Sequence, residues 1–178
     1  MKLVSILVIS ALIICSSIAQ GQDTNRNVPL SSIGAYGSTF ENVNYNTSSE
    51  MKMGNIVYSD GIQFYSEFHP NSKEHEAYFN LDSSYDHLTG LIGMDDKSKL
   101  YPQYGYKGIT LTLLGDDREL QKFTMANGDL PVSVDLDVSG VRRLTLDATY
   151  QNDDSKGGVS NDAYIDLVNM ILSRVPRA

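Results

Sequence analysis

Between residues 131 and 150 the chain alternates apolar and polar positions with a period of two. Val132, Val134, Leu136 and Val138 hold one parity, while Ser133, Asp135 and Asp137 hold the other. Leu144, Leu146, Ala148 and Tyr150 repeat the pattern against Thr145, Asp147 and Thr149. A strand turns successive side chains to opposite faces, so each run has a dry face and a wet one. Half-buried strands of this kind pair antiparallel and stack as sandwiches. Apolar runs and turn signals predict further strands over 55–58, 61–68, 77–81, 87–94, 108–114 and 118–123. The last apolar segment, 163–172, is ambiguous. Ile165, Leu167 and Ile171 suit a strand, whereas Ile165, Val168 and Leu172 also suit a helix. Ser59-Asp60-Gly61 reads as a turn, and Gly115-Asp116-Asp117 and Asn127-Gly128-Asp129 as hairpin-type turns in which glycine is expected to supply the positive φ.

Within this alternation lies an ordered set of words. Asn80-Leu81 precedes Tyr85-Asp86-His87-Leu88-Thr89-Gly90, and Gly93-Met94-Asp95-Asp96 closes that strand. Gly115-Asp116-Asp117, Asp129-Leu130-Pro131 and Asp137-Val138-Ser139-Gly140-Val141-Arg142-Arg143-Leu144 follow. Together they resemble the NPCBM domain, a carbohydrate-binding-module family often attached to glycoside hydrolases. The resemblance runs from about residue 56 to about residue 172. It implies an all-β fold, a jelly-roll β-sandwich of antiparallel strands of the galactose-binding-like kind, and it tips 163–172 toward a strand. It also implies sugar recognition, whereas the strand pattern alone implies only the sandwich; the paired carboxylates cluster side by side in turns, with none marked as the acid or nucleophile of a glycosidase, so no catalysis is expected. Two departures stand out. The chain has no tryptophan, the residue on which sugar-binding members often build their aromatic platform. The family's Asp-His-Ala-Asp-Trp word is matched only in part by Asn161-Asp162-Ala163-Tyr164-Ile165-Asp166.

The amino terminus changes the setting. Lys2 is followed by an apolar run broken only by Ser5 and Ser10, then by Ser17-Ile18-Ala19. This is the architecture of a signal peptide over 1–19, placing the protein outside the cell or in the cell envelope. Cys15, the single cysteine, leaves with that segment, which excludes disulfides and thiol catalysis from the remainder. A polar flexible leader is expected over 20–33, the domain over 34–174 and a tail over 175–178. Asn46-Thr47-Ser48 is a glycosylation sequon. The net charge of −8 argues against nucleic acid as a partner, since phosphate binding needs an excess of lysine and arginine.

Candidate binding chemistry concentrates in loops. Leu100-Tyr101-Pro102-Gln103-Tyr104-Gly105-Tyr106 sets three tyrosines between two predicted strands. A tyrosine ring offers an apolar face and a polar tip, which suits the C–H face and hydroxyls of a sugar. Tyr101, Tyr104 and Tyr106 are therefore candidate glycan contacts, with Asp95 and Asp96 as hydrogen-bond acceptors. The alternative is that these rings pack back on the sheet. Asp153, Asp154 and Asp162 supply oxygens for a structural calcium, or else form a solvated turn-rich loop. His69, His75 and His87 lack the spacing of a zinc site and are expected at the surface or strand edges. No catalytic elbow, phosphate loop or dinucleotide fingerprint is present. Two functions follow. One is a secreted non-catalytic module that binds a glycan through its end loops. The other is a cell-envelope protein-interaction or spacer module.

Overall fold

The computed structural model describes residues 27–45, 50–68, 74–152 and 161–174. The expected signal peptide, the expected leader up to 26, the sequon, His69, the loop residues 153–160 and the expected tail lie outside these. The elements in chain order are β1 (Val28–Pro29), the one-turn α1 (Leu30–Ile33), β2 (Ala35–Ser38), β3 (Asn42–Asn44), β4 (Met51–Met53), β5 (Ile56–Tyr58) and β6 (Gly61–Phe68). Then come β7 (Glu74–Asn80), β8 (His87–Met94), a 3-10 turn (Pro102–Tyr104), β9 (Tyr106–Gly115), β10 (Arg118–Met125), β11 (Val132–Asp137), β12 (Arg143–Asn152) and β13 (Asn161–Ser173).

Two antiparallel sheets face each other. One runs β11-β8-β13-β6-β3, with β1 also paired to β13; the other runs β10-β9-β12-β7-β2. The inward parity of each strand makes one continuous core, including Phe64, Phe79, Ile92, Leu111, Leu146 and Ile165, all fully buried. The segment 163–172 is a strand: β13 pairs β6 on one side and β8 on the other. It therefore needs apolar residues on its inner face and takes a bulge between Val168 and Ile171, where the period of two slips. That slip is why its sequence also fitted a helix. Gly61 begins β6 because a Cβ there would lie 2.3 Å from the carbonyl oxygen of Leu167.

Three expectations are corrected. Residues 28–33 are not leader, because Val28 pairs with Leu172, Pro29 pairs with Ile171, and Leu30 is fully buried. The β9–β10 turn takes its positive φ at Asp116 (47°) and Asp117 (70°), while Gly115 stays in the strand. Positive φ at both central positions fits the right-handed twist of a two-residue hairpin, and aspartate tolerates it. His75 is not at the surface. It is buried between Phe40 and Phe68, with Nδ1 3.0 Å from the carbonyl of Thr39.

A second, smaller core lies on the outer face of the six-stranded sheet. The hairpin β4–β5 sets Met51 and Met53 against Val168, with Leu91 and Tyr58 packed around them. Sequence reading found only β5 of this hairpin, because Ile56-Val57-Tyr58 is β-branched and aromatic, whereas Met51-Lys52-Met53 carries no strand-favouring residue.

Candidate functional site

The β8–β9 connection leaves the sandwich at one end. Its first residues are committed to structure. Asp95 is 2% exposed. Its Oδ2 accepts from the backbone N–H of Lys52 (3.1 Å) and from Nε2 of Gln63 (3.2 Å), and its Oδ1 accepts from the N–H of Lys97 (2.9 Å). Asp96 accepts from the N–H groups of Gly54 and Asn55, both at 2.9 Å. The two carboxylates thus pin the β4–β5 hairpin to the sheet; burial takes Asp95 out of reach of a sugar, while the Asp96 side chain keeps 22% of its surface exposed. Tyr106 is buried as well, against expectation. It is 8% exposed, stacks on Tyr150 at 5.6 Å and belongs to the core. Burial raises the pKa of its hydroxyl above the ordinary tyrosine range.

Tyr101 and Tyr104 remain at the surface, 37% and 44% exposed, with ring centroids 6.1 Å apart and edge to face. The 3-10 turn between them ends at Gly105, whose φ of 98° is left-handed and favours glycine. The loop is tied down from β13. Oδ1 of Asn161 accepts from the N–H of Tyr101 (2.9 Å), and its Nδ2 donates to the hydroxyl of Tyr150 (2.6 Å). Asp162 follows on the outer face, accepting from the hydroxyl of Tyr65 at 3.0 Å. Burial and that hydrogen bond push the pKa of Tyr65 up to about 12. Among the described residues no three His, Cys, Asp or Glu side chains gather as a metal site. Asp153 and Asp154 lie outside those residues.

Gln63 also bridges to Asp166, donating from Nε2 to Oδ1 at 2.7 Å, while Lys97 Nζ donates to Gln63 Oε1 at 2.6 Å. Asp166 is fully buried, and its Oδ2 has no hydrogen-bond partner. Desolvation raises its pKa to about 8, with the neighbouring Asp95 carboxylate adding to the shift.

The opposite end holds a groove that sequence reading missed. An open cavity of about 530 Å³ is lined by Tyr36, Asn80, Asp82, Asp116, Arg142 and Arg143, among others. It adjoins a second of about 350 Å³ on the outer face of the five-stranded sheet, where Glu76, Tyr78 and Thr145 join Tyr36 and Arg143. Tyr36 is 63% exposed and stacks on Tyr78 with centroids 6.0 Å apart. The Arg143 guanidinium sits 5.8 Å over the Tyr78 ring and pairs with the carboxylate of Asp117. That pairing raises the pKa of Arg143, and the hydrogen bond from Tyr78 to Glu76 raises that of the tyrosine. Asp116 accepts from the N–H groups of Arg142 and Arg143, both at 3.0 Å, which lowers its pKa. Tyr36, Tyr78 and Arg143 come from three different strands, so no local motif announces them.

This architecture has relatives. The model of the NPCBM/NEW2 domain matches residues 24–166, and the chain belongs to that family. Its structure is similar to a CBM51 module from Clostridium perfringens GH95 solved in complex with methyl-galactose. They share 17% identity over 83% of this chain and 99% of that one, with a TM-score of 0.56. It is also similar to tandem CBM51 modules of a family 98 glycoside hydrolase from Streptococcus pneumoniae. There the identity is 11% over 98% of this chain and 52% of that one, with a TM-score of 0.63. A third similar structure holds CBM51-2, in complex with GlcNAc, and INT domains from Clostridium perfringens ZmpB. That match has 12% identity over 84% of this chain and 32% of that one, with a TM-score of 0.59. A comparison with curated protein sequences finds no match.

Proposed function

We propose that this chain is a non-catalytic carbohydrate-binding module, exported by its N-terminal segment, that holds a glycan at the end loops of the sandwich. Family membership supports the class of ligand, as do the methyl-galactose and GlcNAc bound by two of the similar structures. The observation that carries the reading is the pair of solvent-facing rings, Tyr101 and Tyr104, fixed on a turn that Asn161 anchors. The close acidic pair Asp95 and Asp166 does no hydrolysis. Both carboxylates are buried, out of reach of a glycosidic bond. One or two rings support only millimolar to high-micromolar affinity after the costs of association, raised by multivalent display. A glycan array with the purified protein is the test, followed by titration of any hit against Tyr101→Ala and Tyr104→Ala. An array without hits would reject the reading.

One observation favours a second reading, the envelope protein-interaction module. Ile56 and Val57 are 49% and 52% exposed on the hairpin, and Leu130, beside Gly54, is 68% exposed. Capture of an envelope protein that is lost on Ile56→Ser with Leu130→Ser would support it.

A further inference from the structure

We infer that the groove at Tyr36, Tyr78 and Arg143 is a saccharide site of its own, at the end of the sandwich opposite Tyr101 and Tyr104, and that it takes a neutral disaccharide. The inference rests on the carbohydrate reading above and adds both the place and the ligand class.

The place follows from the geometry. The groove is continuous, because its two compartments share Tyr36, Asp117 and Arg143. The larger lies within the range of about 300–1,000 Å³ typical of small-molecule sites. Two adjoining compartments that share one exposed aromatic ring suit two linked sugar rings better than one. Tyr36 keeps most of its surface in water, yet it is not loose. It lies against Tyr78, which is itself held by Glu76 and covered by Arg143. A ring braced in this way presents a flat apolar face without the entropy cost of ordering it on binding. Around it stand groups of both hydrogen-bonding senses. The guanidiniums of Arg142 and Arg143 donate, the carboxylates accept, and the Asn80 amide does both. Sugar hydroxyls need both at once.

The class follows from charge. Glu76, Asp82, Asp116 and Asp117 line the groove against Arg142 and Arg143, four carboxylates to two guanidiniums. Arg143 is already neutralised by Asp117. A uronate or a phosphorylated sugar would meet a net negative field, so the site disfavours it. A neutral sugar pays no such cost, and its binding should be nearly independent of salt.

The test is an amide NMR titration of the protein with lactose, cellobiose and maltose as neutral probes and digalacturonic acid as the acidic control. Each probe is taken to about 50 mM, above the millimolar affinity expected of a shallow site. The expected result is saturable shifts at residues 36, 78–82 and 142–143 for at least one neutral probe, insensitive to added salt. Tyr36→Ala should weaken that binding about tenfold. Because Tyr36 is largely exposed, the variant should keep the wild-type fold and spectrum elsewhere. Arg143→Lys, which keeps the charge and loses the fork, should weaken it by a similar factor. Shifts confined to residues 101–105, with Tyr36→Ala binding like wild type, would overturn the groove and leave the carbohydrate reading standing. Stronger binding of the acidic control would overturn the ligand class. No shift with any of the four probes would overturn the groove, while array hits at Tyr101 and Tyr104 would still uphold the module.

Discussion

Replacing Asp166 with asparagine should remove a large fall in stability with rising pH over the neutral range. In the native protein the side chain is fully buried, one oxygen has no partner, and the Asp95 carboxylate is close by. The folded-state pKa is therefore about 8, against the ordinary 3.8 of an unfolded chain. Between these values the folded protein binds one more proton than the unfolded one, so stability is fully present below the lower value and falls as pH rises. The slope is about 1.4 kcal/mol per pH unit. From pH 5 to pH 7 the group therefore costs roughly 3 kcal/mol, a large share of the stability of a domain this size. Asparagine keeps the shape and the bond from Gln63 but cannot ionise. Urea unfolding of both proteins at pH 5, 6, 7 and 8 measures the difference directly, because every other titrating group is shared and cancels. The stability of the variant relative to wild type should grow by roughly 3 to 4 kcal/mol between pH 5 and pH 8. A difference that stays flat across the series would refute the reasoning and mean that Asp166 ionises as freely as a surface carboxylate.

The other predictions are simpler. Val134→Asp should unfold the protein or nearly so, since Val134 is 2% exposed, while Ser133→Asp on the wet parity should shift the urea midpoint little. Asp96→Ala should release the β4–β5 hairpin, seen as faster hydrogen exchange at Met51–Tyr58 with the core amides unchanged. Tyr150→Phe removes the acceptor from Asn161 and should cost about 1 kcal/mol by thermal or urea unfolding, with faster exchange at the Tyr101 amide.

The sandwich was legible where strands are long and wet on one side. Ser133, Asp135 and Asp137 are exposed, and their apolar neighbours Val134 and Leu136 are buried. The pattern misleads where both faces are covered. Thr145 reads as a wet position, yet it is 3% exposed, lying on the sheet face beneath the groove. Short strands such as β2 and β3 gave too few residues for a period to register. The site was legible only as far as its exposed tyrosines. Asp95, Asp96 and Tyr106 carry the right functional groups, but their roles depend on a hairpin and a core that fold back from 40 or more residues away. Tyr36 meets Tyr78 and Arg143 only once three strands are side by side, and no local spacing encodes that.

The open margin of β11 has a consequence for how the protein behaves at high concentration. β11 is the outermost strand of its sheet, and its exposed parity carries Asp135 and Asp137. A second molecule adding its own β11 along that margin would bring four carboxylates together, so self-assembly by edge pairing is resisted. Asp137 holds its charge well into acid, because the hydrogen bonds from Ser139 lower its pKa. Replacing Asp135 and Asp137 together with asparagine should therefore raise association at neutral pH, read as an increase in light scattering with protein concentration.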